Sequence, residues 1–493
     1  MTITGQNPLR RIPIALFTVV GVLLAGCVTN NVENGWTFRK FNPAAEASSP
    51  TLPPPGPKSK LPDPPVAAVS PSPAPATPPL LAQTAEAPLI GGVNAGNGAI
   101  NNGSAGEGPP GAVRVAILLP LSGANAKLGR AMLNAAQLSL FELAAENFAL
   151  MTYDTRGGGD GAARAVESAV RDGAQLILGP LLAESVAAAR LRLMDISPGL
   201  NIVAFSNSRE VAGDGVFILG FTPRQQVAAI LDYAASEGVS RVVALAPDDD
   251  YGHAVVDAAL AHAGGLFQTV YYDPAASDFT GQVKALARYD QRRGALQEHR
   301  QALAGVGDAA SLRMLRQLEQ RDTLGDPPFD AVLLPDAGKN LRTLSSMLSY
   351  YDVDAPVVRL LGLRSWDLTP NLAAEPALKG AWFSATPVEG RVGFEARYKA
   401  AFGVRPPRHA SLAYDATALA IVLAQTVVNT NANAESVFNR AALMSKSGFL
   451  GVDGVFRFQP DGVAERPFAI FEVTGVGVVV RRSAPQTFQR LSN

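Results

Sequence analysis

From Val113 onward the chain alternates short apolar runs with amphipathic stretches, one pair roughly every 25 to 30 residues. Val113–Leu119 is a continuous apolar run and predicts a buried strand. Lys127–Glu146 predicts a helix, with Leu128, Met132, Leu140 and Leu143 on one face. Strands at 148–153, 175–178 and 201–205 alternate with helices at 160–171 and 185–194. The rhythm resumes with a helix at 225–236, a strand at 241–246, a helix at 251–263 and a strand at 266–271. Further strands are expected at 330–334 and 356–361. Such alternation predicts βαβ units, with parallel sheet covered on both faces. About nine strands exceed one compact sheet, so the expectation is α/β with two Rossmann-like lobes.

The first 112 residues are a different polymer. Arg10 and Arg11 precede a short apolar run, Ile12–Leu24, too short for a comfortable membrane span of ~20 residues. The run ends in Leu24-Ala25-Gly26-Cys27, which resembles a bacterial lipobox. That resemblance implies a signal peptide over 1–26 and lipid on Cys27. Val28 stands where Asp would imply retention at the inner membrane, so the implied address is the periplasmic face of the outer membrane. An ordinary signal peptide with a chance cysteine is the alternative. Residues 43–110 are rich in Pro, Gly and Asn and almost without aromatic residues, so 27–112 is expected to be a disordered tether. Fully extended, the segment 43–110 would reach on the order of 200 Å.

Composition removes several functions. Lys plus Arg number 42 and Asp plus Glu 43. A formal net charge of -1 gives no global attraction to nucleic acid. Cys27 is the single cysteine, and the four histidines form no HExxH pair, so no cofactor and no metal are expected. Asp248-Asp249-Asp250 lacks the alternate ligand spacing of an EF-hand loop and suits a helix N-terminus instead. No G-x-S-x-G elbow, Walker loop or S-x-x-K motif falls at a strand–helix turn, so no enzyme is expected.

The loops carry a family likeness. Ile117-Leu-Leu-Pro-Leu-Ser-Gly123, Tyr153-Asp-Thr155, Leu178-Gly-Pro-Leu181, Ala204-Phe-Ser-Asn207, Ala246-Pro-Asp-Asp-Asp-Tyr-Gly252 and Gly451-Val-Asp-Gly454 follow in order. This resembles type I periplasmic binding proteins of the Leu/Ile/Val-binding kind, over about 113–480. Within that group the chain is similar to lipoproteins of the penicillin-binding protein activator family. The features that carry this are the lipobox and tether, Phe205-Ser-Asn-Ser208, the insertion before Phe329-Asp-Ala-Val332, and Leu361-Gly-Leu-Arg-Ser-Trp366 with Ala410-Ser-Leu-Ala-Tyr-Asp415. The resemblance implies a non-catalytic regulator that contacts a bifunctional penicillin-binding protein, a peptidoglycan synthase. The alternative is the substrate-binding protein of an amino-acid ABC importer.

By the same analogy the chain crosses between lobes three times. Lobe one is expected over 113–222 plus 380–446, lobe two over 223–379 plus 447–482, and a tail over 483–493. A ligand would lie between the lobes, at the carboxyl ends of strands. Ser206 and Ser208 are candidate donors to a small amino-acid-like ligand, or ordinary loop-capping hydroxyls. Ser122 follows the first strand, Tyr251 could cover a ligand side chain, and Asp336 could neutralise an amine. Leu182, Ala183 and Glu184 depart from the serine-bearing loop of similar proteins, and Glu184 would repel a carboxylate.

Residues 288–327 break the α/β rhythm and predict a helical hairpin with a break at Gly305–Gly307. Arg292, Arg293, Arg300, Arg313 and Arg316 are candidate partner-binding residues, since arginine is common at interface hot spots. A surface decoration packed on lobe two is the alternative.

Overall fold

The computed structural model describes residues 112–144, 148–262, 266, 268–430 and 437–488. The expected signal peptide, Cys27, the tether up to residue 111 and residues 489–493 lie outside the described residues.

β1 (Val113–Leu119), α1 (Ala126–Leu143), β2 (Phe148–Asp154), α2 (Gly159–Arg171), β3 (Leu176–Leu178), α3 (Ala183–Ile196), β4 (Ile202–Ala204) and β5 (Val216–Ile218) begin lobe one. The five strands form a parallel sheet in the order β2-β1-β3-β4-β5. Side chains alternate across it with period two. Val115, Ile117 and Leu119 enter a core with Met132 and Ala136 of α1, while Ala116 and Leu118 meet Ala162, Val166 and Ala189 of α2 and α3.

The first crossing leads into α4 (Pro223–Ser236), whose proline sits in the first turn, where no N–H is missed. Lobe two continues with β6 (Val242–Pro247), α5 (Asp250–Leu260), β7 (Gln268–Tyr272), α6 (Thr280–Ala287), α7 (Tyr289–Val306), α8 (Ala309–Leu318), β8 (Ala331–Leu333), α9 (Gly338–Tyr350), β9 (Arg359–Gly362) and β10 (Trp382–Ala385). The chain then returns to lobe one through α10 (Glu389–Phe402), α11 (Ala410–Thr430), α12 (Arg440–Leu443) and a small antiparallel sheet, β11 (Phe449–Gly451), β12 (Gly454–Phe458) and β13 (Ala464–Glu465). It ends in lobe two with β14 (Ala469–Thr474) and β15 (Gly477–Arg482). The second sheet has seven strands in the order β15-β14-β10-β9-β8-β6-β7; β14 and β15 run antiparallel to their neighbours.

Two expected boundaries move. The crossing placed at 380 falls after β10, because Trp382 and Phe383 point into the two cores on either face of the second sheet. The crossing placed at 447 falls after β13. Phe456, Phe458 and Ala464 pack into the core of lobe one, and Ile218 of β5 donates its N–H to Gly462 O at 2.7 Å. β5 and β10 to β15 lie outside the strands expected from the sequence; β5, β10 and β11 have only three or four residues each.

α7 and α8 form a helical hairpin. Gly307, in the left-handed region at φ 67°, closes α7, and Asp308 caps α8 by accepting from Ser311 N at 2.7 Å. Asp249 likewise caps α5, accepting from Gly252 N at 2.8 Å. No helix among the described residues is long and apolar enough to cross a membrane.

α1 approaches the loop after β1 so closely that a Cβ on Gly129 would lie 2.1 Å from Pro120 O. Gly129→Ala improves helix propensity yet is expected to destabilise the protein by ~1–3 kcal/mol. Urea unfolding checks this; an unchanged midpoint would mean that the β1–α1 turn yields at no cost.

Candidate functional site

The parallel strands of both sheets deliver their carboxyl-end loops to the region between the lobes. In lobe one, the loop after β1 is tied to β2. The Ser122 hydroxyl donates to Asp154 Oδ2 at 2.6 Å, and the N–H groups of Leu121 and Arg156 donate to Oδ1. After β4, Ser206 is buried and its hydroxyl accepts from Ser208 N at 3.1 Å. The Ser208 hydroxyl donates to Glu210, and this bond first of all holds the Glu210 carboxyl below its usual range. Ser122 is therefore engaged with the end of β2, and Ser206 and Ser208 within their own loop.

In lobe two, Asp336 follows β8. It accepts from the phenol of Tyr272 and from Ala337 N, and its carbonyl accepts from the Ser365 hydroxyl at 3.1 Å. Burial raises the Tyr272 phenol, and the neighbouring carboxylate raises it further. Tyr251, in the first turn of α5, stands beside Ser365, Arg364 and Asp336, and burial pushes its phenol up to about 12. The structure thus brings Tyr251 and Asp336 together on one wall. Among the described residues no hydrogen bond links them to Ser122, Ser206 or Ser208. Trp366 is a core residue, its indole N–H donating to Leu334 O at 3.0 Å.

What joins the lobes is charged. Asp367, after β9, pairs with Arg391 of α10 at 2.8 Å and with Arg408 before α11. Arg364 lies 3.7 Å over the ring centre of Phe221 in the first crossing, and Arg466 of the third crossing lies 4.9 Å from the same ring. Gln225 joins the first and third crossings by donating to Ala464 O at 2.7 Å and accepting from Arg466 N at 3.0 Å. Gln226 accepts from Arg364 N at 3.1 Å through its side chain, and its carbonyl accepts from the Ser384 hydroxyl at 2.9 Å.

Two buried carboxyls complete the set. Asp453 accepts from the hydroxyls of Thr386 at 3.0 Å and Ser411 at 2.5 Å. Burial works to raise its pKa, but the Arg364 and Arg466 charges and the two hydroxyls outweigh it and hold the group below the usual value. Asp415 accepts from Val452 N at 2.7 Å. Burial pushes its carboxyl up to about 7, against the opposing pull of Arg466. None of these charged residues was a sequence candidate. The signal was present: Arg364, Asp415 and Asp453 each interrupt an otherwise apolar or small-residue motif.

The hairpin arginines separate into two kinds. Arg292 is buried and donates to Thr323 Oγ1 at 2.8 Å and to Gly325 O at 2.9 Å. Arg300 donates to the carbonyls of Leu318 and Arg321, tying α7 to the end of α8. The partner-facing expectation for these two is corrected: their guanidiniums close the hairpin onto its own backbone. Arg293, Arg313 and Arg316 are exposed. Arg313 and Arg316 line a shallow groove along α8 with Leu312, Leu315 and Glu319.

A family model for periplasmic binding proteins matches residues 112–477. Solved structures share the fold. One, from Rhodospirillum rubrum, is provisionally described as a branched-chain amino acid ABC transporter; it is 17% identical, with a TM-score of 0.59 over 75% of this chain and 99% of its own. A substrate-binding protein of an ABC transporter from Sphaerobacter thermophilus is 19% identical, with a TM-score of 0.55 over 77% of this chain and 100% of its own. A periplasmic ligand-binding protein of a branched-chain amino acid ABC transporter from Burkholderia xenovorans is 14% identical, with a TM-score of 0.54 over 77% and 98%. No curated protein matches the chain.

The raised Asp415 pKa sets a sign for stability against pH. The folded state binds the Asp415 proton more tightly than the unfolded chain, whose carboxyl titrates near pH ~4. Its contribution is whole below that value and is lost as pH rises to about 7. Asp415→Asn mimics the protonated form, so its stability relative to the parent chain is expected to improve between about pH 4 and pH 7. Urea unfolding at both ends of that window measures the difference; a constant difference would mean an ordinary pKa.

Proposed function

The chain belongs to the periplasmic binding protein family, and from that premise we propose that it is a substrate-binding protein that holds a small organic ligand between its lobes for an ABC importer. The observation that carries this is the meeting of the two lobes at the carboxyl ends of their strands, where Asp367 of lobe two binds Arg391 and Arg408 of lobe one. Such contacts form and break with a hinge motion about three crossings. Tyr251 and Asp336 would line the lobe-two wall of the ligand site. The serines of lobe one, engaged as they are, would play a lesser part than in similar amino-acid binders. The family implies a periplasmic location. Attachment to the outer membrane through a lipid on Cys27 is part of the proposal and rests on the lipobox likeness. No catalytic step is assigned.

A second reading keeps the chain as a regulator of a bifunctional penicillin-binding protein, as its likeness to activator lipoproteins implies. The observation in its favour is the α7–α8 hairpin, which presents Leu312 and Met314 beside Arg313 and Arg316. Exposed apolar residues flanked by arginine suit a protein interface.

One experiment separates the two. The full chain is titrated calorimetrically with leucine, isoleucine, valine and a panel of small organic acids. Binding with a negative heat-capacity change, from apolar surface buried as the lobes approach, is expected. Silence across the panel, together with capture of a bifunctional synthase that Arg313→Glu and Arg316→Glu abolish, would replace the first reading with the second.

A further inference from the structure

Arg364 lies in the turn after β9, and Arg408 in the turn before α11, so the two come from different lobes. Arg364 is only 6% exposed and Arg466 only 4%. Nε and Nη2 of Arg364, Nη1 of Arg408 and Nη1 of Arg466 are all buried, and among the described residues none has a hydrogen-bond partner.

The neighbouring carboxylates balance part of the charge, Asp453 acting on Arg364 and Arg466 and Asp415 on Arg466, but they accept none of these N–H groups. Asp367 is taken by Arg391 and Arg408. Asp453 is held through both oxygens by Thr386 and Ser411. Asp415 accepts from Val452 N through Oδ1, while its Oδ2 is buried and, like the guanidinium nitrogens, has no partner among the described residues. Among the described residues no carboxylate lies within ion-pair distance of Arg364 or Arg466. Burial lowers the pKa of Arg408 to about 10, and the Arg364 charge adds to the effect, so like charges are enclosed side by side. A buried N–H without an acceptor is costly. Guanidinium forks match a carboxylate in shape and charge. The N-terminus of α11, next to Arg408, adds partial positive charge of its own.

We propose that Arg364 and Arg408, backed by Arg466, bind the carboxylate of a small organic anion between the lobes. This rests on the reading of the chain as a binder of small organic ligands, and it adds the ligand's charge and the residues that recognise it. The anion accepts N–H groups from both lobes at once, so its binding favours their approach. The hydroxyl loops of lobe one are poorly suited to the same task. Ser206 and Ser208 are bonded within their loop, and Glu210 stands against them. Charge recognition therefore moves to the guanidiniums, while Tyr251 and Ser365, on the same wall as Arg364, meet the rest of the ligand.

The test titrates the full chain with matched acids and amides: succinate and succinamide, benzoate and benzamide, leucine and leucinamide. Acid is expected to bind at least tenfold more tightly than its amide. Arg364→Gln and Arg408→Gln are each expected to weaken the acid at least tenfold and to change the amide less than twofold. Amides that bind as well as acids would leave the small-ligand reading standing and overturn the anion site. Silence from every acid and amide would overturn both. Acid binding that neither substitution changes would also overturn the site, and so would binding of inorganic phosphate alone. A measurement on the unsubstituted chain decides the matter if a variant does not fold. The acid should raise the thermal unfolding midpoint where its amide does not, and equal shifts would overturn the proposal.

Discussion

Four guanidiniums, those of Arg364, Arg391, Arg408 and Arg466, leave bulk water where the two lobes meet. Removing such groups from water costs several kcal/mol each even after relaxation, and the local architecture answers that cost in specific ways. Phe221, in the first crossing, takes Arg364 on its ring face, with Arg466 also near the ring. Asp367 bridges two arginines of the opposite lobe. Gln225 and Gln226, adjacent on α4, hold the first crossing to the third and to the strand that precedes the second. The crossings are thereby tied to one another by hydrogen bonds. Breaking a buried pair by removing one partner is more damaging than replacing the whole set.

The two sheets supply the rigid frame for that cluster. Each is covered on both faces, so its strands are apolar and its polar side chains gather in the loops at the carboxyl ends. Lobe one contributes loops whose hydroxyls are bonded locally: Ser122 to Asp154, and Ser208 to Glu210. Lobe two contributes Tyr251, Asp336 and Ser365 on one wall. The asymmetry matters for recognition. Buried donors without a partner among the described residues are found at the arginines by the crossings and, in lobe one, at the Ser185 hydroxyl in the first turn of α3.

The α7–α8 hairpin shows how residue type alone misleads. Its arginines look alike in sequence, yet Arg292 and Arg300 bond to backbone carbonyls of the hairpin and the loop that follows, whereas Arg293, Arg313 and Arg316 face solvent. An arginine can cap a loop as readily as it can meet a partner. Which it does depends on whether carbonyls such as Gly325 O and Arg321 O lie within reach, and that is set by the fold of residues 319–326.

Long, strongly patterned elements were legible in the sequence. The run Val113–Leu119, the helix N-terminus at Asp249, the break at Gly307 and the α/β alternation all follow from local physics: side-chain period, N-cap chemistry and backbone freedom. The loop motifs likewise pointed to a two-lobed binding protein. Tertiary structure alone decided where the chain crosses between lobes. It also paired Arg408 with Asp367, placed Asp453 between Thr386 and Ser411, and left guanidinium nitrogens of Arg364 without an acceptor. These contacts join residues far apart along the chain. Their energies depend on burial and on distance through space, and a one-dimensional pattern records neither.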